Sequence, residues 1–400
     1  MATSSSTLAP SQPKASTPEI VVPKTRYQPQ LDGLRALAIV GIMFEHFDLP
    51  LPPLLRCGPL SVRFFFVLSG YFITLSLWRV QADMLASRGG GLVHLFRFYL
   101  ARLLRIGPPF YLAVAVGALL GIAEVRTNLL WLATFQTNNH IAWLGYWPDS
   151  ISHFWSLAVQ EQFYLLWPAA VLLLPKRWFV PTMAAFLVFG LGFRITCMLA
   201  GTSTLLRWVT LFGCIDSFAV GALVAYLGQT GFLARLWRSE TALFAMPLVA
   251  FGCFYLGRAL MTLPEGNLYL ALVESVDAVF LAWLLAASLN GINGWGGRVL
   301  SWGPIVYLGR ISYGVYVYHV FVIIVASPIL VSWGLHGTFE VFRLAFLFVI
   351  TISLASLSWH FVEQPFMAWK KALGTRPKNP RRDEAPVFVP SQFPALGSMK

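Results

Sequence analysis

Ten long runs of apolar residues divide this chain, and charged or turn-forming segments separate them. A helix that crosses a bilayer needs about 20 predominantly apolar residues. The runs predict transmembrane helices over residues 34–54, 60–78, 103–123, 152–174, 178–199, 208–228, 241–261, 268–289, 304–331 and 340–362. The pattern therefore predicts an all-α integral membrane protein with about ten transmembrane helices.

Three segments fall outside this pattern. Residues 1–26 are rich in Ser, Thr and Pro and lack the apolar core of a signal peptide, which predicts a disordered tail. Residues 371–400 are rich in Pro and charge and predict a second disordered tail, so one transmembrane domain would occupy residues 27–370. Polar residues interrupt the aromatic stretch 126–151, which we interpret as an outer interfacial or re-entrant segment suited to a lid or an acceptor-docking surface.

Composition supports the membrane assignment. Charged residues make up only 12% of the chain, whereas soluble domains carry about 25%. Lys and Arg concentrate in alternate loops and in both tails, which predicts that both termini are cytoplasmic. This distribution explains the net charge of +12 without a nucleic-acid partner, for which the sequence has no reading motif. The four cysteines have no paired spacing, so we expect neither a disulfide framework nor a metal site.

The first span carries side chains that a bilayer disfavours. Asp32, Arg35, Glu45 and His46 stand within or at the ends of one apolar helix. Ionisable residues inside a membrane segment are functional candidates. Arg35 and His46 are eleven residues apart, about three helical turns or roughly 16 Å, so they lie on one face. Histidine is the commonest general base near neutral pH, which makes His46 the first catalytic candidate; a buried histidine bonded to backbone is the alternative.

Two arginines, Arg102 and Arg105, share one face at the start of the third span. Paired guanidinium groups bind phosphate groups through bidentate hydrogen bonds. The pattern therefore predicts a phosphate-binding site on the cytoplasmic side. Ordinary anchoring of a basic cytoplasmic loop explains the pair equally well, so spacing alone leaves both interpretations open.

Two further spans each carry a polar stripe at helical spacing. In the fourth span, the stripe consists of His153, Ser156, Gln160, Tyr164 and Trp167. In the ninth span, it consists of Ser312, Tyr316 and His319. Glu161 lies about 100° from Gln160 around the fourth helix. Such stripes indicate either a site that faces the interior of the bundle or hydrogen bonds that join the helices.

Smaller signals come from the second and tenth spans. Ser69 and Gly70 lie in the middle of the second span, and we expect Gly70 to permit close packing of helices. Glu363 closes the tenth span, where its carboxylate could pair with a nearby arginine.

An ordered set of motifs resembles the membrane-bound acyltransferase-3 family. The matching pieces are Leu31-Asp-Gly-Leu-Arg-Ala36 with the Arg-x10-His spacing to His46, Phe65-Phe-Val-Leu-Ser-Gly70, Arg102-x-x-Arg105, Phe154-Trp-Ser-Leu-Ala-Val-Gln-Glu-Gln-Phe-Tyr164, Ile311-Ser-Tyr-Gly-Val-Tyr-Val-Tyr-His319 and Val362-Glu-Gln-Pro-Phe366. They occur in the order of the family over roughly residues 27–370. Each motif alone is weak evidence, whereas the ordered set is specific.

The resemblance implies an enzyme that transfers an acyl group, most often acetyl, from cytoplasmic acyl-CoA to a hydroxyl group. The acceptor would be a carbohydrate, a glycolipid or a polyketide-type molecule. Acetyl-CoA would be a co-substrate, and no tightly bound cofactor is expected. The resemblance further implies a multi-pass protein of the bacterial cytoplasmic (inner) membrane, in the stand-alone form without a C-terminal esterase-like domain.

The resemblance also suggests a role for individual residues of these motifs. The candidate catalytic residues are His46, Glu161, Gln160 and Tyr316; the candidate acyl-CoA ligands are Arg35, Arg102 and Arg105; the candidate substrate-binding residues are Ser69, His153, Tyr164, Tyr313 and His319; and the candidate orienting residues are Asp32 and Glu363.

This chain departs from the family pattern at one position. Where the family usually has Glu in the fourth span, it has Gln160, which cannot accept a proton, followed by Glu161. The alternative function is a transmembrane transporter or an acyl-passing channel, with Arg35 and His46 as its polar path. A transporter predicts inverted repeats and broken helices, and the sequence shows neither clearly.

Overall fold

The computed structural model describes residues 27–47, 49, 57–86, 90–233, 251–252, 255 and 268–374. These residues form α-helices, short 3₁₀ and π turns and connecting loops, with no β-strand among them. The predicted tail 1–26, almost all of the predicted seventh span 241–261 and residues 375–400 of the second predicted tail lie outside the described residues.

Fifteen α-helices are described along the chain. The first eight are α1 (Pro29–His46), α2 (Gly58–Ala86), α3 (Gly91–Leu119), α4 (Ala123–Thr127), α5 (Leu129–Ala133), α6 (Thr137–Leu144), α7 (Phe154–Leu173) and α8 (Phe179–Leu199). The others are α9 (Thr204–Val209), α10 (Leu211–Gln229), α11 (Leu268–Asn290), α12 (Gly294–Leu300), α13 (Gly303–Ser332), α14 (Glu340–Ser358) and α15 (Gln364–Gly374), the last two joined by a π turn at Trp359–Glu363.

Seven helical segments of the described residues are long and apolar enough to cross a membrane. They correspond to the second, third, fifth, sixth, eighth, ninth and tenth predicted runs. The first and fourth runs form α1 and α7, which carry charged and amide side chains and are not among these seven segments. The fold class, an all-α membrane protein, is confirmed. The count of ten spans and the cytoplasmic position of both termini stay predictions.

The third span differs from its predicted bounds. Its helix begins at Gly91, twelve residues before the predicted start, so Arg97, Arg102 and Arg105 all lie on α3 and not in a loop. A hydrophobicity criterion stops at these charges, whereas the backbone hydrogen bonds of a helix continue through them into the interface. The arginine pair is consequently held on a regular helix that continues directly into the span.

Small residues let the helices around the site approach closely. A Cβ atom at Gly70 would collide with the backbone oxygen of Phe218, and one at Gly309 would collide with that of Asp32. Helix α2 therefore packs directly on α10, and α1 packs directly on α13. This confirms the packing role expected for Gly70, and it holds the charged helix α1 against the ninth predicted span.

A buried cluster of charged groups joins α2, α8, α10 and α11. Arg194 donates hydrogen bonds to Asp216 Oδ2 at 2.7 Å and to Ser275 Oγ at 2.5 Å, and its Nη1 lies 3.4 Å from Glu274 Oε2. Arg63 also pairs with Glu274, and the four charged residues are at most 6% exposed. Sequence analysis missed this cluster because its four charges lie in four different apolar runs.

Candidate functional site

A cavity of about 410 Å³ lies where α1, α2, α3, α7 and α13 meet. Eight of the candidate catalytic and binding residues line it: Arg35, Ser69, Arg102, Arg105, Gln160, Tyr164, Tyr313 and Tyr316. They come from five separate motifs, so the fold brings together side chains that are up to 281 positions apart, as between Arg35 and Tyr316.

One part of the cavity wall is positively charged, and Arg35 is fixed there by two partners. Its Nη1 donates a hydrogen bond to Asp32 Oδ1 at 3.0 Å, and its Nη2 donates one to Ser312 Oγ at 3.0 Å. Asp32 thus contacts one edge of the Arg35 guanidinium group. The two bonds hold the guanidinium plane, so Arg35 meets a ligand with little further loss of side-chain freedom.

The other two arginines differ in how much of their hydrogen-bonding capacity is used. Arg102 Nη2 donates to Ser76 Oγ at 2.8 Å, and its guanidinium lies 5.9 Å from the centre of the Tyr164 ring. Arg102 Nε is buried and has no hydrogen-bond partner within the described residues. Arg105 is exposed. This wall can therefore donate several hydrogen bonds to an anionic group.

Sequence reasoning missed Ser76, the partner of Arg102. A signal for it exists in the second span, where Ser69 and Ser76 are seven residues apart, share one face of α2 and both line the cavity. This face of α2 thus meets the polar stripes of α7 and α13.

Uncharged hydroxyl and amide groups form another part of the wall. Ser69 Oγ and Tyr164 OH are 3.1 Å apart, and Gln160 Nε2 donates a hydrogen bond to the same tyrosine oxygen. Ser156 Oγ and Tyr316 OH are 2.7 Å apart. The polar stripes predicted on the fourth and ninth spans therefore face each other, with their donors beside the cavity.

Three histidines form a cluster next to the cavity. The rings of His46 and His319 are 4.8 Å apart between centroids, and those of His153 and His319 are 5.3 Å apart. None of the three lines the cavity, although Ile42, one turn before His46, does. Tyr316, which lines the cavity, also contacts the rings of His153 and His319 and so connects the cluster to it.

The backbone sets the tautomer of His46. Its Nδ1 lies 3.0 Å from the carbonyl oxygen of Ile42, which only an N–H can satisfy. In the neutral ring, the lone pair is then on Nε2, the nitrogen that could accept a proton. Arg35 bonds Ser312 and His46 contacts His319, so both residues of the Arg-x10-His spacing face the same helix, α13.

The two candidate carboxylates lie away from the cavity wall. Gln160 lines the cavity and Glu161 does not. Glu161 Oε1 and Glu363 Oε1 are both buried without a hydrogen-bond partner among the described residues. A Cβ atom at Gly314 would lie 3.1 Å from Glu363 Oε1, which places this carboxylate against α13. Neither carboxylate lines the cavity, but both lie within electrostatic range of arginines in its wall, Glu161 of Arg102 and Glu363 of Arg35 and Arg105.

The comparisons with known proteins agree with these features. The acyltransferase domain of the acyltransferase-3 family matches residues 28–360. The peptidoglycan O-acetyltransferase OatA of Listeria monocytogenes is 26% identical over 85% of this chain and 56% of its own length. A provisionally named O-acetyltransferase of Staphylococcus aureus is 26% identical over 92% of this chain and 61% of its own length.

A further relative is YrhL of Bacillus subtilis, provisionally named a peptidoglycan O-acetyltransferase, which is 26% identical over 85% of this chain and 55% of its own length. The chain thus spans little more than half the length of these relatives. No solved structure gives a significant match. Because the family match covers more than four fifths of the chain, the protein belongs to the membrane acyltransferase-3 family.

Proposed function

We propose that this protein is a membrane O-acyltransferase that transfers an acetyl group from acetyl-CoA to a hydroxyl group of a carbohydrate. Family membership and the names of the bacterial relatives support the activity, and those relatives also support a bacterial cytoplasmic membrane location. The observation that carries the proposal is the cavity. Three arginines and several neutral hydrogen-bond donors line it, and a cluster of histidines lies beside it.

The arginines would bind the phosphate groups of the donor. Arg35 is oriented by Asp32 and Ser312, Arg102 has an unused buried N–H, and Arg105 is exposed. Guanidinium groups suit phosphates because their planar donors match two oxygens at once. The positive-inside pattern predicts that this wall faces the cytoplasm, where acetyl-CoA is available.

His46 would act as the general base. As the acceptor hydroxyl oxygen attacks the thioester carbonyl carbon, His46 Nε2 takes the hydroxyl proton. The carbon–sulfur bond breaks, and the proton passes to the departing CoA sulfur, which leaves as the thiol. The hydrogen bond from Nδ1 to Ile42 keeps Nε2 as the basic nitrogen throughout.

The neutral donors of the cavity would stabilise the negative charge on the carbonyl oxygen during this attack. The hydroxyl groups of Ser69 and Tyr164 and the amide of Gln160 lie at its wall, whereas the one O–H of Tyr316 is already donated to the carbonyl oxygen of His153. Mutual hydrogen bonds hold the first three side chains in place before the reaction, which is the condition for effective electrostatic stabilisation.

A transfer assay tests the proposal. The purified full-length chain is incubated with radiolabelled acetyl-CoA and N-acetylglucosamine oligomers, and label in the sugar is measured. We expect His46→Ala to reduce transfer by about 10²–10⁴-fold, the usual contribution of a general base. CoA affinity should be unchanged.

His360→Ala is the matched control, because His360 is also an exposed helical histidine whose Nδ1 bonds a carbonyl four residues earlier. Transfer by the His46→Ala variant at the wild-type rate would rule out the assigned base. If the wild-type chain transferred no label to the sugar, the result would count against a carbohydrate acceptor.

A further inference from the structure

The segment between α3 and α7 has a defined fold of its own. It consists of the three short helices α4, α5 and α6, and the backbone of Phe135 between them has φ of 53°, a left-handed conformation that costs about 1 kcal/mol or more for a residue with a side chain. Gln162 of α7 donates a hydrogen bond to the Phe135 carbonyl at 3.1 Å. The segment is thus fastened to the helix that carries Gln160.

Buried amide groups fasten it at a second point. Asn138 is fully buried, and Gln162 Nε2 donates to its Oδ1 at 2.8 Å. Glu124 accepts hydrogen bonds from the backbone N–H groups of Asp149 and Ser150 at 3.1 and 2.6 Å, which closes the segment on itself. Contacts of this kind predict a rigid surface in place of a mobile lid.

Three aromatic rings on this segment form a parallel stack. The ring of His140 lies 4.8 Å from that of Trp131 at an angle of 22°, and 6.0 Å from that of Trp143 at 25°. His140 is 7% exposed, its Nδ1 is buried without a partner among the described residues, and Trp143 is 77% exposed. Trp143 thus presents a large aromatic surface held in place from behind.

Further exposed aromatic and amide groups lie close to Trp143 in the sequence of this segment. Tyr146 is 59% and Trp147 41% exposed, and Asn139 is exposed on α6 one turn before Trp143. We call Asn139, Trp143, Tyr146 and Trp147 the aromatic platform. Aromatic faces attract the polarised C–H groups of sugar rings, while an amide can bond hydroxyl groups.

The charges of the segment favour a neutral ligand. Residues 123–152 contain Glu124, Arg126 and Asp149 as their Asp, Glu, Lys and Arg residues. Glu124 is bonded to the backbone N–H groups, and Arg126 Nε donates to the carbonyl of Ala118 at 2.6 Å. The segment therefore offers little electrostatic attraction to an anionic lipid headgroup, whereas an uncharged polyhydroxyl chain can bind without a charged partner.

We propose that the aromatic platform is a docking site for a neutral polysaccharide chain, stacked on Trp143 and Tyr146. The proposal rests on the proposed function, because it names the place where the carbohydrate acceptor is held. The positive-inside pattern puts this segment on the side away from the cytoplasm. Its links through Gln162 to α7 would hold the chain in a fixed relation to the cavity that Gln160 lines.

Trp and Tyr are also common at membrane interfaces, where they only anchor a protein. Trp333 provides a matched control for this alternative. It caps the end of α13 that is predicted to face the same side of the membrane, and it is 74% exposed. If these residues were only interfacial anchors, replacing Trp143 or Trp333 should have the same effect on the Kd for a sugar. If Trp143 binds the sugar, only its replacement should raise that Kd.

The experiment measures binding of chitotetraose and maltotetraose to the purified full-length chain by thermophoresis, without acetyl-CoA. We expect at least one sugar to bind, Trp143→Ala to raise its Kd about tenfold, and Trp333→Ala to leave it unchanged, since one well-placed aromatic contact is worth about 1–2 kcal/mol. Trp143→Phe should recover part of the affinity. Retained CoA binding shows that each variant is folded. If Trp143→Ala does not fold, Tyr146→Ala tests the platform in its place.

Either of two results would overturn the platform: neither sugar binds, or Trp143→Ala and Trp333→Ala raise Kd by the same factor. The assay also separates this proposal from the enzymatic one. His46→Ala should bind the sugar as tightly as the wild type. A wild-type chain that binds sugar without transferring acetyl would keep the platform and reject the proposed enzymatic function.

Discussion

Replacement of Arg102 by alanine tests the donor end of the cavity most directly. Arg102 uses one N–H on Ser76, and its buried Nε has no hydrogen-bond partner in the described structure, so at least one charged hydrogen bond is left for a phosphate oxygen. A hydrogen bond to a charged group contributes about 1.5–3 kcal/mol. We therefore expect Arg102→Ala to raise the Kd for CoA about 10–100-fold, since about 1.4 kcal/mol is a factor of ten.

Titration calorimetry with CoA and the purified chain measures this effect. Arg97→Ala is the matched control, because Arg97 is exposed on the same helix and lies outside the cavity. Its loss should change Kd less than twofold and weaken binding only at low salt. Arg102→Lys should fall between the two, because it keeps the charge and loses the planar fork. If Arg97→Ala and Arg102→Ala raised the Kd for CoA by the same factor, the arginines would contribute only general positive charge. That result would refute the assignment of Arg102 as a phosphate ligand.

Two further predictions concern the polar wall and the buried charge cluster. Gln160→Ala should lower kcat about tenfold or more, because it removes a donor at the cavity wall, while Glu161→Gln should leave kcat within about twofold because that side chain does not line the cavity. Steady-state kinetics with both variants decide, and the reverse order would favour Glu161 as the catalytic carboxylate. Arg194→Ala should destabilise the protein by about 3–5 kcal/mol, because it removes one of two buried cations and leaves Asp216 and Glu274 to share Arg63. In thermal unfolding in detergent, the exposed control Arg177→Ala should stay near the wild type, and equal melting temperatures for the two variants would contradict the expected cost.

Periodicity predicted much of the wall of the cavity. Ser156, Gln160 and Tyr164 follow one another at helical spacing, and all three line the cavity. The same argument placed Ser312 and His319 on one face, and they contact Arg35 and His46 of α1. Helical geometry alone suffices for such inferences because residues three, four or seven apart must share a face.

The position of the carboxylates illustrates the limit of that approach. Gln160 and Glu161 are neighbours in sequence, and the sequence left open whether Glu161 replaces the usual glutamate of the family. Which of the two lines the cavity depends on the face of α7 that meets α2 and α13, and the hydrogen bonds of Tyr164 with Ser69 and of Ser156 with Tyr316 are made on that face. The chemical properties of the two side chains do not determine which of them lines the cavity.

By itself, the sequence determined the class of the protein, the membrane helices and the polar faces, because hydrophobicity and helical periodicity act over short stretches of chain. Only the tertiary structure decided that Arg35, Arg102 and Arg105 share one cavity, that His46 lies beside it against His319, and that Arg63, Arg194, Asp216 and Glu274 neutralise one another in the core. These contacts join helices far apart in the chain, and their formation depends on close packing between whole helices.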